Sequence, residues 1–255
     1  MIKLIRYTDT GEFCEIEPYD GVEDVKISDK KDRGSGYIAG TDFYPTYSAW
    51  GSMIGSVSTI LTVWEHADQL VGNDFVAFLD GRSRMNKAAV DTWPILIDMV
   101  DEDTSLGIAS YNCFNGLNDL ILPDDFRYFD AFLNNAFDVN TYVWDMIKKY
   151  DLEAYEFAAE SKPRIIMNNQ FMCTRQVFDV LGYKLLLVIE KMRVRDVGMW
   201  TKRFVERLLG IYLAQLTVSV YTTAFWYHDD VENPIAANRF LNVKPKIITM
   251  NSKKL

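Results

Sequence analysis

Apolar and polar positions along the chain trace alternating strands and helices. Residues 1–7 read as a strand with Lys3, Ile5 and Tyr7 on one face and Ile2, Leu4 and Arg6 on the other. The turn Asp9-Thr10-Gly11 follows. Short strands are predicted over 13–16 and 25–27, with Asp20-Gly21 as the turn between them. The charged, glycine-rich segment 30–36 reads as a surface loop. A helix is predicted over 47–67, where Met53, Val57, Ile60, Leu61 and Trp64 recur at helical spacing, although Gly51 and Gly55 weaken it. The apolar run Phe75 to Leu79 reads as a buried strand. Residues 86–100 read as a helix with Asn86 as its cap and a kink or limit at Pro94. A strand over 106–109 and helices over 124–136 and 139–149 follow, the first of these helices opened by Pro123-Asp124-Asp125. A strand over 164–167 is closed by Asn168-Asn169-Gln170. The last helices are predicted over 175–192, with Phe178, Leu181, Leu185, Val188 and Met192 on one face, and over 200–217, with Phe204, Leu208, Ile211 and Gln215 in step.

Strands that alternate with helices define an α/β protein. No internal repeat, low-complexity segment or linker interrupts residues 1–255, so a single domain is the simplest expectation. At 49% hydrophobic and 14% aromatic residues, the chain can form a sizeable core. Its apolar runs fall short of the roughly 20 residues a membrane span needs. The opening residues are too polar and too short for a signal peptide, so a cytoplasmic location is expected. Cys14, Cys113 and Cys173 show neither a disulfide pattern nor CxxC spacing. The net charge of −9 argues against tight non-specific binding to nucleic acid. Local basic clusters remain, at Lys30-Lys31-Arg33, Lys191-Arg193-Arg195, Lys202-Arg203-Arg207 and Lys244-Lys246. No GxxxxGK[ST], GxGxxG, HExxH or GxSxG pattern occurs, which argues against P-loop NTPases, common dehydrogenases, zincins and α/β-hydrolases.

The chemistry gathers where strands end. In open α/β sheets, ligands bind beyond the carboxyl ends of strands. The strand over 75–79 runs into Asp80-Gly81-Arg82-Ser83-Arg84, and two guanidiniums there suit a phosphate-bearing ligand. The plainer account is a solvated polar turn. The stretch 167–178 carries Asn168, Asn169 and Gln170, whose side-chain amides suit sugar hydroxyls. An ordinary turn is favoured there on residue types alone. In Trp226-Tyr227-His228-Asp229-Asp230, imidazole and carboxylates suit a metal or a sugar, but a polar loop after an apolar run is the commoner case. Asp101-Glu102-Asp103 has Asp-x-Asp spacing, but it precedes a strand instead of following one.

The Asp80-Gly81-Arg82 turn resembles the acidic signature of nucleotide-sugar glycosyltransferases with a single Rossmann-like domain, in which a strand ends in Asp-x-Asp and the acids hold a divalent metal. Here Arg82 replaces the second acid, which leaves metal dependence open. Together with the 167–178 stretch and Lys202-Arg203-Phe204-Val205-Glu206-Arg207-Leu208-Leu209, the chain resembles a glycosyltransferase-like family of capsule and exopolysaccharide clusters. That family carries a strand running into His-Tyr-Arg-Arg, an Asn/Phe-Met strand, and a Glu-Arg-Leu helix. Arg82 and Glu206-Arg207-Leu208 match; Asp80-Gly81 stand in place of His-Tyr, and Ser83 in place of the second arginine.

The resemblance implies a GT-A-type mixed sheet flanked by helices and a nucleotide-diphosphate sugar as donor. It implies donor contacts from Tyr7, Thr8, Asp9, Arg82, Arg84 and Arg207, and acceptor contacts from Asn168, Asn169, Gln170, Trp226 and Tyr227. Asp80 or Glu206 would take the acceptor's proton. The acceptor would be a surface glycan or a hydroxymethylated base in phage DNA. The alternative is a non-catalytic binding or assembly protein that keeps the sheet without the chemistry.

Overall fold

The structure is a computed structural model that describes residues 1–8, 11–13, 15–16, 18, 20–28, 38–39, 56–72, 75–81, 83–85, 108–111, 137–161, 171–192, 201–216, 219–222, 226–228 and 246–248. In chain order the strands are β1 (Ile2–Thr8), β2 (Val22–Ser28), β3 (Ile38–Ala39), β4 (Phe75–Asp80), β5 (Ser83–Met85), β6 (Ile108–Tyr111), β7 (Phe171–Cys173), β8 (Ser219–Thr222), β9 (Trp226–His228) and β10 (Lys246–Ile248). The helices are α1 (Ser56–Glu65), α2 (Ala67–Leu70), α3 (Phe137–Tyr150), α4 (Leu152–Ser161), α5 (Arg175–Lys191) and α6 (Thr201–Leu216). Eight strands form one sheet in the order β10-β8-β6-β7-β4-β1-β2-β3, and β5 and β9 form a separate two-stranded ribbon. β1 lies between β2 and β4 and is parallel to both. β7 is antiparallel to both its neighbours, β4 and β6. The protein is therefore α/β, with a mixed Rossmann-like sheet flanked by helices.

The two-residue rhythm read from the first seven residues sets the faces of this sheet. Parallel register pairs Ile5 with Val25 and Phe78, and Leu4 with Asp24 and Ala77. Register partners share a face, so Ile5, Ile27, Val76 and Phe78 face one way, with Phe171 and Cys173 of β7 beside them. That face belongs to the main core, together with Val57, Ile60 and Leu61 of α1 and Val177, Phe178, Leu181 and Leu185 of α5. The Phe78 ring lies 5.0 Å from Phe171 and 5.4 Å from Phe178, an aromatic trio that seats α5 on the sheet. The opposite face buries Ile2, Leu4, Ala77, Leu79 and Met172, and with them Arg6, Thr8 and Ser28.

The helices form where caps and apolar stripes agree. Thr174, in extended conformation, caps α5 by accepting a hydrogen bond from the Val177 N–H at 3.4 Å. The predicted stripe Phe178, Leu181, Leu185, Val188 and Met192 is buried. The Trp64 indole N–H donates to the Asp179 carbonyl at 2.9 Å, and a Cβ at Gly182 would fall within the indole, so α1 and α5 meet where a glycine clears the way. Arg175 fastens the same corner: it donates to Asp179 at 2.7 Å, to the Gly72 carbonyl at 2.6 Å and to Asp68 at 2.9 Å. Burial works against its charge, but the hydrogen bonds to Asp179 and Asp68 outweigh it and leave the Arg175 pKa raised.

Helix α4 was not expected from the sequence. Its buried stripe is Ala154 and Ala158, too small to register as a hydrophobic period. Asp151 caps it, accepting from the Ala154 N–H at 2.9 Å, and also accepts from the Tyr212 hydroxyl of α6 at 2.5 Å. Burial, then that hydrogen bond, hold the Tyr212 phenol protonated far above its ordinary range. One aspartate thus ties α4 to α6.

The expected strand over 13–16 is absent: Phe13, Glu15 and Ile16 adopt no regular structure. The strand expected at 25–27 spans all of β2, and that expected at 106–109 is placed at Ile108–Tyr111. Of the helix expected over 47–67, Ser56–Glu65 is helical and the short α2 follows after His66, while 47–55 lie outside the described residues. The predicted loop 30–36, the helices over 86–100 and 124–136 and the strand over 164–167 lie outside the described residues. Among the described residues, no helix is long and apolar enough to cross a membrane.

Candidate functional site

The parallel strands β1, β2 and β4 all end at one edge of the sheet, at Thr8, Ser28 and Asp80. The chain order reverses at β1: β2 and β3 extend the sheet on one side, and β4 follows on the other. Such a switch point opens a crevice between the two strands, where open α/β sheets bind their ligands. The Asp80 backbone stands opposite Tyr7 in register. The next residue closes the pair, its Gly81 N–H donating to the Tyr7 carbonyl at 2.5 Å. Tyr7, Thr8 and Asp80, expected at the site from separate segments, therefore converge. Tyr7 is half-buried and Thr8 is buried.

Two further segments reach the same edge. β7 runs antiparallel to β4 and begins at Phe171, opposite Phe78, so it starts where β4 approaches its end. Asn168, Asn169 and Gln170 directly precede Phe171 in the sequence and lie outside the described residues. The strand expected before that triplet also lies outside the described residues, and β7 follows the triplet. Past Gly81, β5 pairs antiparallel with β9, setting Ser83 against His228, Arg84 against Tyr227 and Met85 against Trp226. The arginine-bearing turn and the Trp226-Tyr227 stretch, remote in sequence, are thereby joined backbone to backbone. Asp9 and Arg82 lie outside the described residues.

A charged and aromatic cluster lies beneath this edge. Arg6, 1% exposed, donates to both carboxylate oxygens of Asp24 on the neighbouring strand, at 2.7 and 2.6 Å. This fork-to-carboxylate geometry is the strongest form of the pair and fixes both side chains. The Arg6 guanidinium lies 5.6 Å from the centre of the Phe13 ring, and the Lys26 ammonium 5.8 Å from it. Phe13 reaches Gly81 as well: a Cβ built on that glycine would stand 2.7 and 2.9 Å from two ring carbons and 3.0 Å from the Tyr7 carbonyl oxygen. The backbone at Gly81 is not in the left-handed region. Glycine is needed there because the ring occupies the space. Sequence reading missed both residues. For Arg6 the signal was present, a charge on the otherwise apolar Ile2-Leu4 face with an acid in the next strand; Phe13 gave none.

Glu206 and Arg207 sit on α6, whose main neighbours are α5, α3 and α4. Arg207 is 4% exposed, so it neither lies on a solvated helix face nor contributes to an exposed basic groove. Cys173 is buried on β7, and burial pushes its thiol well above the ordinary range, as expected of a small packing residue and not of a nucleophile.

No family model matches the chain. No curated protein matches it by sequence. The solved apo structure of WbbM, a bifunctional glycosyltransferase, is similar over 88% of this chain, with 13% sequence identity and a TM-score of 0.44. The chain spans 44% of that protein's length.

Proposed function

We propose that this protein is a glycosyltransferase that moves a sugar from a nucleotide-diphosphate donor to a hydroxyl acceptor. One observation carries the reading: the ends of β1 and β4 meet at the sheet's switch point, and the residues following β4 pair with Trp226–His228. The segments whose chemistry suits a donor and those whose chemistry suits an acceptor thus share one edge. Tyr7, Thr8 and Asp9 contact the base or ribose. Arg82 and Arg84 stabilise the diphosphate, where negative charge grows as the sugar leaves. Asn168, Asn169, Gln170, Trp226 and Tyr227 hold the acceptor. In the transfer, the acceptor oxygen bonds to the sugar's anomeric carbon, the bond from that carbon to the diphosphate oxygen breaks, and Asp80 takes the acceptor's proton. Glu206 is the other candidate base, and Arg207 supports the donor side from α6.

The Asp80-Gly81-Arg82-Ser83-Arg84 stretch supplies one carboxylate followed by two cations. That donor set fits a diphosphate better than a divalent metal, and no step here requires one. The acceptor is a surface glycan or a hydroxymethylated base in DNA. Activity that falls steeply with salt identifies DNA, because phosphate contacts release counterions; a flat profile identifies a glycan.

The experiment is a panel of nucleotide sugars scored for transfer and hydrolysis. Turnover with one donor, lost on Arg82→Ala, supports the reading; unchanged turnover in that variant removes Arg82 from the site. The arginine in place of a second acid favours a second reading, a binding protein without catalysis. Calorimetry that detects no nucleotide sugar, with or without manganese, rejects the transferase.

A further inference from the structure

The contacts around Gly81 assign a role to a residue outside every motif. We propose that Phe13 is the positioning residue of the Asp80-Gly81 turn, which it holds against the end of β1. As a statement about donor binding this rests on the glycosyltransferase reading; as a statement about the turn it does not.

The argument follows a chain of contacts. Asp24 grips Arg6 through both carboxylate oxygens, and Arg6 is buried, so its guanidinium is a fixed point. Arg6 and Lys26 both lie against the Phe13 ring, at 5.6 and 5.8 Å from its centre. In the β1–β2 register they are partners, so the ring meets two cations on one face of the sheet. The ring in turn occupies the volume a side chain at position 81 would need. The ring is therefore held between two contacts, the cations of β1 and β2 and the Gly81 backbone, whose N–H donates to the Tyr7 carbonyl at 2.5 Å. Residues 13, 15 and 16 have no regular structure of their own. The ring's place thus comes from these contacts and not from a strand. A turn so held keeps the Gly81 backbone against the end of β1, and positioning of that kind governs rate because small displacements of reacting groups are costly.

The test uses the full chain and four variants: Phe13→Ala, Phe13→Tyr, Gly81→Ala and the double variant that joins Phe13→Ala with Gly81→Ala. Three quantities are read: hydrogen exchange at the backbone amide of position 81, melting temperature, and affinity for the nucleotide sugar that the wild type binds. Phe13→Ala is expected to speed exchange at that amide at least about tenfold, as a local opening would. It is expected to weaken donor binding about tenfold, with the melting temperature lowered by no more than about 3 °C. Phe13→Tyr keeps the ring and is expected to restore both. Gly81→Ala alone is expected to weaken binding, since its methyl meets the ring, and removing the ring in the double variant is expected to recover part of that loss. Unchanged exchange in Phe13→Ala, or additive losses in the double variant, overturns the proposal. A wild type that binds no nucleotide sugar overturns the transferase reading, and the exchange data then still decide for or against Phe13 as the holder of the turn.

Discussion

The two faces of the sheet bury their residues for different ends. Beneath α1 and α5 lie Ile5, Ile27, Val76, Phe78, Phe171 and Cys173, apolar throughout and continuous with the helices. The opposite face buries Ile2, Leu4, Ala77, Leu79 and Met172, but towards the strand ends it adds Arg6, Thr8 and Ser28. Buried hydroxyls and charges cost free energy unless they are bonded, so a face built for stability alone has no use for them. Among the described strand residues, the buried hydroxyls and charge, Arg6, Thr8 and Ser28, lie on one side of the sheet, in the half that leads to the β1–β4 crevice. The first face packs against the helices and ends at Tyr7 and Asp80, and the second buries Arg6, Thr8 and Ser28 towards the same edge.

Substitutions on each face break or sharpen that contrast. Phe78→Ala removes a ring packed on Phe171 and Phe178 and is expected to destabilise by about 3–5 kcal/mol, read as a shift of the urea midpoint. Asp24→Ala strips a buried guanidinium of its bidentate partner and is expected to lower the unfolding free energy by about 3 kcal/mol. A loss below about 0.5 kcal/mol would mean the polar face is no more committed than a surface. Thr8→Val keeps the shape and deletes a hydroxyl; about 1 kcal/mol of stability is expected to go. Calorimetry is expected to show a roughly tenfold weaker donor in the same variant, about 1.4 kcal/mol. Glu23→Gln sets the lower bound. Its ion pair with Lys3 lies at the surface, with Glu23 52% exposed. A change under about 0.5 kcal/mol is expected, vanishing in high salt.

How much of this was legible in the sequence depended on the range of the contacts. β1 and β4 announced themselves by rhythm and by an apolar run, and α5 and α6 by stripes of large residues. All four stand close to where those signals put them. α4 escaped because alanines leave no strong period, and nothing local showed that Phe13 packs on Gly81 and two cations instead of lying in a strand. The candidate site divides in the same way. That Asp80 would close a strand was visible locally. That β7 would insert antiparallel beside β4, and that Ser83–Met85 would pair with Trp226–His228, was not, since register between remote segments is fixed by tertiary packing. Arg6 was read as one more strand residue, because its partner lies in the next strand.

The ribbon of β5 and β9 has a consequence for how the molecule comes into being. Residue 83 waits for residue 228, and residue 78 for residue 171. Closing loops of that size is entropically slow, whereas β1 and β2 are near neighbours in the chain. On a ribosome, the nascent protein can therefore pair β1 with β2 long before β9 exists to pair with β5. The edge proposed for the ligand is completed last, as a late event of maturation, and a chain released early would carry β1 and β2 without β7 and β9.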